Sequence, residues 1–309
     1  MTHPVAWMNG TLIDASQAAV PVGDLGVVAG ATVSELLRTF QHRPYRLDDH
    51  IDRLLDSLKR LAFPTAVERE TLRTAVETVA TRNSQLTHPQ HELGIVVFVT
   101  AGQNLTYLGA AGRDRAVTGT VCVHSFPLPF ELWAERYSTG QHLTTVDVTP
   151  LPLSSVDPCA KHRNRLHWLR ADQAARNRFA ESSALLTMPD GALTETSSGN
   201  LFVLQENTLR TPRPHTVLCG ISRSVLMEIA RKLGLHVEET DLHPADLLSA
   251  DEVLLTSTPY CVIPVTRFNG DPVQAGTPGP MYRRLIAAWS ELAGVDIVRQ
   301  AVEGAATRQ

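Results

Sequence analysis

Lysine is the scarcest charged residue in this sequence: Lys59, Lys161 and Lys232 are its only lysines, against 25 arginines. Cysteine is scarce as well. Cys122, Cys159, Cys219 and Cys261 form no C-x-x-C pair and no zinc-ligand spacing, which excludes a structural zinc module and gives no disulfide framework. Reduced thiols and a cytoplasmic location are therefore expected. Excess positive charge is missing, and a formal net charge of −4 removes the electrostatic footprint of nucleic-acid or anionic-membrane binding. No apolar run approaches the roughly 20 residues of a membrane helix. The chain does not open on a basic segment followed by an apolar one, so no signal peptide is expected. Internal repeats and low-complexity tracts are absent, and no metal site is expected.

What is present is ordinary globular composition. The chain has 309 residues, 43% hydrophobic and 19% charged, which suits one large or two medium domains. Residues 5–8 and 11–13 flank Asn9-Gly10, a hairpin signal. A turn is expected at 22–26, and residues 33–40 and 45–47 read as a second hairpin. Asp48 or Asp49 is placed to cap a helix whose Ile51, Leu54, Leu55, Leu58 and Leu61 recur at helical spacing. A second helix is expected over 68–82, and strands over 93–100 and 117–124. Further on, strands are expected at 142–149, 184–188, 193–194, 200–204, 209–211, 237–240, 252–257 and 262–265. Helices are expected at 165–179, with Leu166, Leu169, Ala174 and Ala175 inward, and at 221–233, 244–248 and 281–292. The tail after Gly294 reads as loose.

Phe126-Pro127-Leu128-Pro129 and the aperiodic stretch after it mark a domain boundary. This divides the chain into a smaller domain over 1–128, a linker over 129–140 and a larger domain over 141–309. Strands come in runs rather than in strict βαβ alternation, which argues an α+β fold.

Lys161 stands apart from the other two lysines. Lys59 and Lys232 lie in helical patterns beside arginines, whereas Lys161 follows Pro158-Cys159-Ala160 at an irregular position. Lysine can give up its proton when desolvated and form an imine; arginine cannot. A chain that otherwise chooses arginine, yet keeps this lysine, invites a chemical explanation. A surface lysine at a helix start is the plain alternative.

Beyond Lys161 lies Glu195-x-Ser197-x-x-Asn200-Leu201-Phe202, then Leu209-x-Thr211, then Leu218-x-Gly220-Ile221-x-Arg223. This pattern resembles the signature of the class IV aminotransferases, the fold-type IV enzymes that use pyridoxal 5'-phosphate. The resemblance extends to 24–60, 161–164 and 257–265. It implies a two-domain α+β fold of the D-amino acid aminotransferase kind, with the cofactor in the larger domain. Lys161 would form the Schiff base with the cofactor aldehyde and shuttle the α-proton. Glu195 would face the pyridine nitrogen and keep it protonated. Gly220, Ile221 and Ser222 would offer a helix N-terminus to the phosphate, with Ser198, Ser257, Thr258 and Arg53 as further cofactor contacts. Read without the family, Ser222 is an ordinary helix cap and Arg53 an exposed helix charge. Arg38 is a candidate partner for a substrate carboxylate, with pairing to Glu35 as its structural alternative. The resemblance also implies a homodimer, with an amino donor and a 2-oxo acid as substrates.

Three departures bear on substrate. Small residues (Val28-Ala29-Gly30-Ala31-Thr32) stand where family members carry Tyr or Phe before Gly-Asp-Gly. Ala101-Gly102 stands where a carboxylate-binding Arg-Gly is common, and Asn164-Arg165 replaces Asn-Tyr. Lys161-His162-Arg163-Asn164-Arg165-Leu166 is similar to the aminodeoxychorismate lyases, whereas Thr256-Ser257-Thr258 is similar to the D-amino acid aminotransferases. The expected activity is amino transfer of a branched-chain-like or D-amino-acid-like kind. Its alternatives are a lyase that releases pyruvate and a non-catalytic binding protein of the same fold.

Overall fold

Asn9 and Gly10 both take positive φ, 48° and 91°, which closes β1 (Val5–Met8) onto β2 (Thr11–Asp14) through a two-residue turn. In this computed structural model, which describes residues 3–112 and 117–307, the chain separates into two units. The first comprises Met1–Leu128 with Ala160–Asn164, and the second Pro129–Cys159 with Arg165–Gln309.

In the first unit a short α1 (Leu25–Val28) is capped by the Asp24 side chain, which accepts from Gly26 N at 2.7 Å. Next come β3 (Thr32–Phe40), β4 (Arg43–Pro44), α2 (Leu47–Arg60), α3 (Arg69–Ser84), β5 (Leu93–Thr100) and β6 (Val121–Pro127). Among the described residues the strands form one sheet in the order β2-β1-β6-β5-β3-β4. Strand alternation sends Val33 and Leu37 of β3, Ile95, Val97 and Val99 of β5, and Val121 and Val123 of β6 into one apolar core. Leu54, Leu58, Leu72, Val76 and Val79 of α2 and α3 fill the same core. Asp48 and Asp49 do not cap α2. They lie in its first turn, where the helix dipole favours acids, and Arg46 holds the cap position at φ 53°.

The second unit holds α4 (Arg136–Thr139), β7 (Gln141–Thr145), α5 (Leu166–Arg178), β8 (Ser182–Thr187), β9 (Leu193–Thr196), β10 (Asn200–Gln205) and β11 (Thr208–Thr211). It continues with α6 (Ile221–Lys232), β12 (His236–Glu239), α7 (Pro244–Leu248), β13 (Glu252–Ser257), β14 (Cys261–Phe268), β15 (Asp271–Pro272), α8 (Pro280–Ala293) and α9 (Ile297–Ala306). Its sheet runs β12-β11-β10-β13-β14-β7-β8-β9, with β15 on β14. A further pairing of Asn200 with Glu195 joins β9 to β10, so the path β10-β13-β14-β7-β8-β9 returns on itself. That closure brings two motif residues side by side.

Three expectations for the second unit are corrected. On α5 the buried face is Trp168, Ala171 and Ala175, while Leu166 and Leu169 are 65% and 53% exposed. The small residues allow α5 to lie close against β8, and that choice rotates the leucines outward. The tail after Gly294 is not loose: α9 is capped by Asp296, whose side chain accepts from Arg299 N, and it buries Ile297, Ala301 and Gly304. Gly304 meets the Phe130 ring so closely that an added Cβ would collide with it. The stretch 129–140, read as a linker, contains a 3-10 turn and α4, and buries Phe130, Trp133 and Tyr137 within the second unit.

Candidate active site

Lys161 is the one lysine outside a helix. Its carbonyl accepts from Ser34 N at 2.9 Å, its own N–H donates to Ser57 Oγ at 3.1 Å, and its neighbour His162 bridges Val33. Arg163 N donates to Thr32 O at 2.8 Å. The segment therefore lies along β3 and is tied to α2, so the Lys161 backbone is positioned by two elements of the first unit.

Beside it, α2 presents Arg53 and His50 to Glu35 of β3. The guanidinium donates through Nε and Nη2 to the two Glu35 oxygens, both at 2.7 Å, and His50 Nδ1 lies 2.8 Å from Oε2. Glu35 is 1% and His50 2% exposed. Burial alone would raise the Glu35 pKa. The Arg53 charge and hydrogen bonds, with those of His50, outweigh it and hold the carboxyl at about 2. Burial pulls the His50 pKa below its ordinary value, against the opposing pull of Glu35. Arg53 is thus no exposed helix charge; it is anchored on a buried carboxylate.

In the second unit the Glu195–Asn200 pairing continues through side chains. Asn200 Nδ2 donates to Glu195 Oε2 at 3.0 Å and to Leu218 O at 2.9 Å. One amide therefore ties the Glu195 carboxylate to the chain that enters α6. Gly220 sits at the N-cap of α6 with no side-chain cap, so Ser222 is not the cap. The first-turn N–H groups of a helix have no intrahelical acceptor, and the dipole makes them a site for an anion. A Cβ on Gly220 would run into Asn200 Oδ1, so only glycine fits this entry to the helix.

Close by in the same unit, Ser257 Oγ donates to Ser198 O, and the buried Tyr260 hydroxyl bonds Ser198 and Ser257. Burial pushes the Tyr260 pKa up to about 12, so the phenol keeps its proton at neutral pH. Thr258 occupies the turn between β13 and β14. Cys159 and Cys219 form a disulfide with Cα atoms 5.0 Å apart, which corrects the expectation of four reduced thiols. Their separation of 60 residues hides the pair from any reading of local spacing. Cys122 and Cys261 are free and buried.

The fold thus joins Glu195 with Gly220 through Asn200, and Ser198 with Ser257 through Tyr260. Lys161 and Arg53 lie on neighbouring elements of the first unit. Arg38 is 1% exposed, with Nε donating to Thr39 O and its guanidinium 3.9 Å from the Phe40 ring centre. It is turned toward protein rather than solvent. The sequence reading offered Glu35 only as a partner for Arg38, on the strand they share, and passed over His50 and Tyr260 altogether.

These parts suit pyridoxal 5'-phosphate: a positioned lysine, a carboxylate held by an amide, and an uncapped helix start where a Cβ would intrude. The chain belongs to the class IV amino-transferase family, which it matches over residues 32–268. Family membership makes it a transaminase with pyridoxal 5'-phosphate as cofactor.

Among curated relatives, it is 29% identical to the putative branched-chain-amino-acid aminotransferase of Methanocaldococcus jannaschii, covering 90% of this chain and 93% of that protein. It is 28% identical to the D-alanine aminotransferase of Bacillus licheniformis, covering 91% of this chain and 94% of that one. Against the branched-chain-amino-acid aminotransferase-like protein 2 of Arabidopsis thaliana it spans 50% of the longer protein at 27% identity. The crystal structure of the Escherichia coli branched-chain amino acid aminotransferase superposes with a TM-score of 0.84 at 26% identity, covering 94% of each chain. A second branched-chain amino acid aminotransferase, from T.th. and complexed with N-(5'-phosphopyridoxyl)-L-glutamate, superposes at 0.81 with 25% identity, covering 94% of this chain and 95% of that one. The fold is therefore fold type IV, as the signature implied.

Proposed function

We propose that this chain is an aminotransferase that moves an amino group from an amino acid or amine to a 2-oxo acid, within a branched-chain-like or D-amino-acid-like range. The single observation that carries the reading is Asn200, whose amide holds the Glu195 carboxylate and the approach to α6 at once. Bound pyridoxal phosphate supplies an electron sink for the charge left when a proton departs the substrate α-carbon.

The protein's own residues do the rest. Lys161 Nζ would hold the cofactor aldehyde and, when free, would take the proton that leaves the substrate α-carbon. Glu195 would place its negative charge against the ring nitrogen and so favour a proton there. The Gly220, Ile221 and Ser222 end of α6 receives the phosphate, with Ser198, Ser257 and Thr258 as nearby donors and Arg53 as the cationic contact. The Glu35–His50 pair keeps Arg53 in place. Arg38, stacked on Phe40, is a weaker candidate for a substrate carboxylate, because that carboxylate would have to displace the stack.

We place the protein in the cytoplasm as a homodimer. Val22, Val27 and Tyr107 are 87%, 58% and 65% exposed, and Gly23 accepts from Asn104, which sets these apolar side chains in one region of the first unit. An exposed apolar patch of this kind is what a partner copy would cover. Sedimentation of the holoprotein as a monomer would remove the dimer.

The test of function is spectral. Purified protein should be yellow, lose that absorbance on adding an amino donor, and recover it on adding a 2-oxo acid. Lys161→Ala should abolish the cycle. A Lys161→Ala protein that still turns over, or a wild type that releases pyruvate from an amino-chorismate without transferring its amino group, would overturn the reading.

A further inference from the structure

The strand-edge segment that positions Lys161 continues for two residues to Arg163, an exposed arginine with no acid beside it. Its Nε donates to Ser34 Oγ at 3.0 Å, and among the described residues it has no carboxylate partner. Elsewhere in the first unit, solvent-facing arginines such as Arg60, Arg69 and Arg73 each pair with an aspartate. An arginine held by a hydroxyl two residues from Lys161, with no ion pair of its own among the described residues, is able to meet the acid of a ligand.

The surface next to Arg163 has the matching chemistry. Val33, Leu37, Val97, Val99 and Val123 turn into the helix-packed core, so Ser34 of β3, Phe98 of β5 and His124 of β6 alternate onto the other face. Ser34 and Phe98 are partners in register, and the Phe98 and His124 rings meet edge to face at 6.3 Å. Burial, and then the Arg163 charge, lower the His124 pKa, so the imidazole stays neutral at pH 7 and adds no competing cation. An aromatic edge and a neutral ring accept methylene groups; the guanidinium terminates the strip with a positive charge. Arg38, the other candidate for a substrate acid, is buried against Phe40.

We propose that Arg163, positioned by Ser34, binds the distal carboxylate of the amino donor or 2-oxo acid and so sets a preference for dicarboxylic over monocarboxylic substrates. The inference rests on the aminotransferase reading for its substrates, though the carboxylate contact can be measured without turnover.

The experiment titrates holoprotein with glutarate and with pentanoate by calorimetry, and separately compares kcat/KM for 2-oxoglutarate and 2-oxohexanoate. Wild type should favour the diacid in both assays. Arg163→Gln should lower that preference by about 10- to 100-fold, the range of a lost charge-assisted hydrogen bond. Arg163→Lys should restore part of it, because charge survives while the planar fork does not. If Arg163→Gln keeps the wild-type preference, or weakens both ligands alike as a structural lesion would, the proposal is overturned. If wild type binds glutarate through Arg163 but transfers no amino group, the carboxylate site stands and the aminotransferase reading falls.

Discussion

Glu35→Gln is the sharpest test of how the first unit holds Arg53. The substitution keeps the shape of the side chain and removes the anion that accepts both Arg53 bonds and faces His50. Breaking one side of a buried ion pair leaves the other charge uncompensated, at a cost of about 3–5 kcal/mol. The titration behaviour points the same way. Holding the carboxyl at about 2 against an ordinary 4.5 corresponds to roughly 3 kcal/mol of folded-state preference for the ionised form. Because the folded value lies below the unfolded one, this stability is fully present above about pH 5 and is lost as pH falls toward 2. The His50 value is also depressed, so its neutral form contributes stability that declines below its ordinary value of 6.5. Urea unfolding followed by tryptophan fluorescence should therefore show Glu35→Gln destabilised by about 3 kcal/mol or more at pH 7, with the gap to wild type roughly halved by pH 3. Equal urea midpoints at pH 7, or a gap that widens in acid, would refute the reasoning.

Two further outcomes follow from the second unit. Alkylation of the denatured, unreduced protein should label two of the four cysteines, and all four after reduction, because Cys159 and Cys219 are bonded. Cys219→Ser should then lower stability by up to about 4 kcal/mol for a closed loop of this length, and four labelled thiols before reduction would contradict the pairing. The same measurement on freshly lysed cells bears on location, since a bond recovered intact counts against a reducing compartment. Gly220→Ala should weaken pyridoxal phosphate binding by about tenfold or more and lower the unfolding midpoint as well, because the added Cβ strikes the buried Asn200 that ties Glu195 to the α6 entry. Equilibrium dialysis of the cofactor reads this, and an unaltered affinity would show that the close approach at Gly220 has no bearing on the anion site.

The sequence reading succeeded where a pattern repeats over a turn or a pleat. Strands β5 and β13 lie where residues 93–100 and 252–257 placed them, and α6 begins at Ile221 as expected. It failed where burial rests on small residues. On α5 the leucines invite an inward assignment, yet Trp168, Ala171 and Ala175 face the sheet. In α9 the buried stripe includes Ala301 and Gly304, which carry little hydrophobic signal. Long-range pairs were out of reach for another reason: Glu35 meets Arg53 only after α2 folds back over β3, and Cys159 meets Cys219 only after the second unit has closed.

The order of residue types along the chain was enough to decide which groups are chemically able to act: one lysine outside any helix, an acid five residues before Asn200, and a glycine opening a helix. These are local facts, carried by side-chain identity and short spacing. The tertiary structure alone decided which of those groups are held and by what. Asn200 joins Glu195 to the α6 entry, Glu35 binds Arg53, and Arg163 donates to the Ser34 hydroxyl. Such pairings depend on distant segments arriving at hydrogen-bond distance, a condition set by how apolar faces pack rather than by any short stretch of residues.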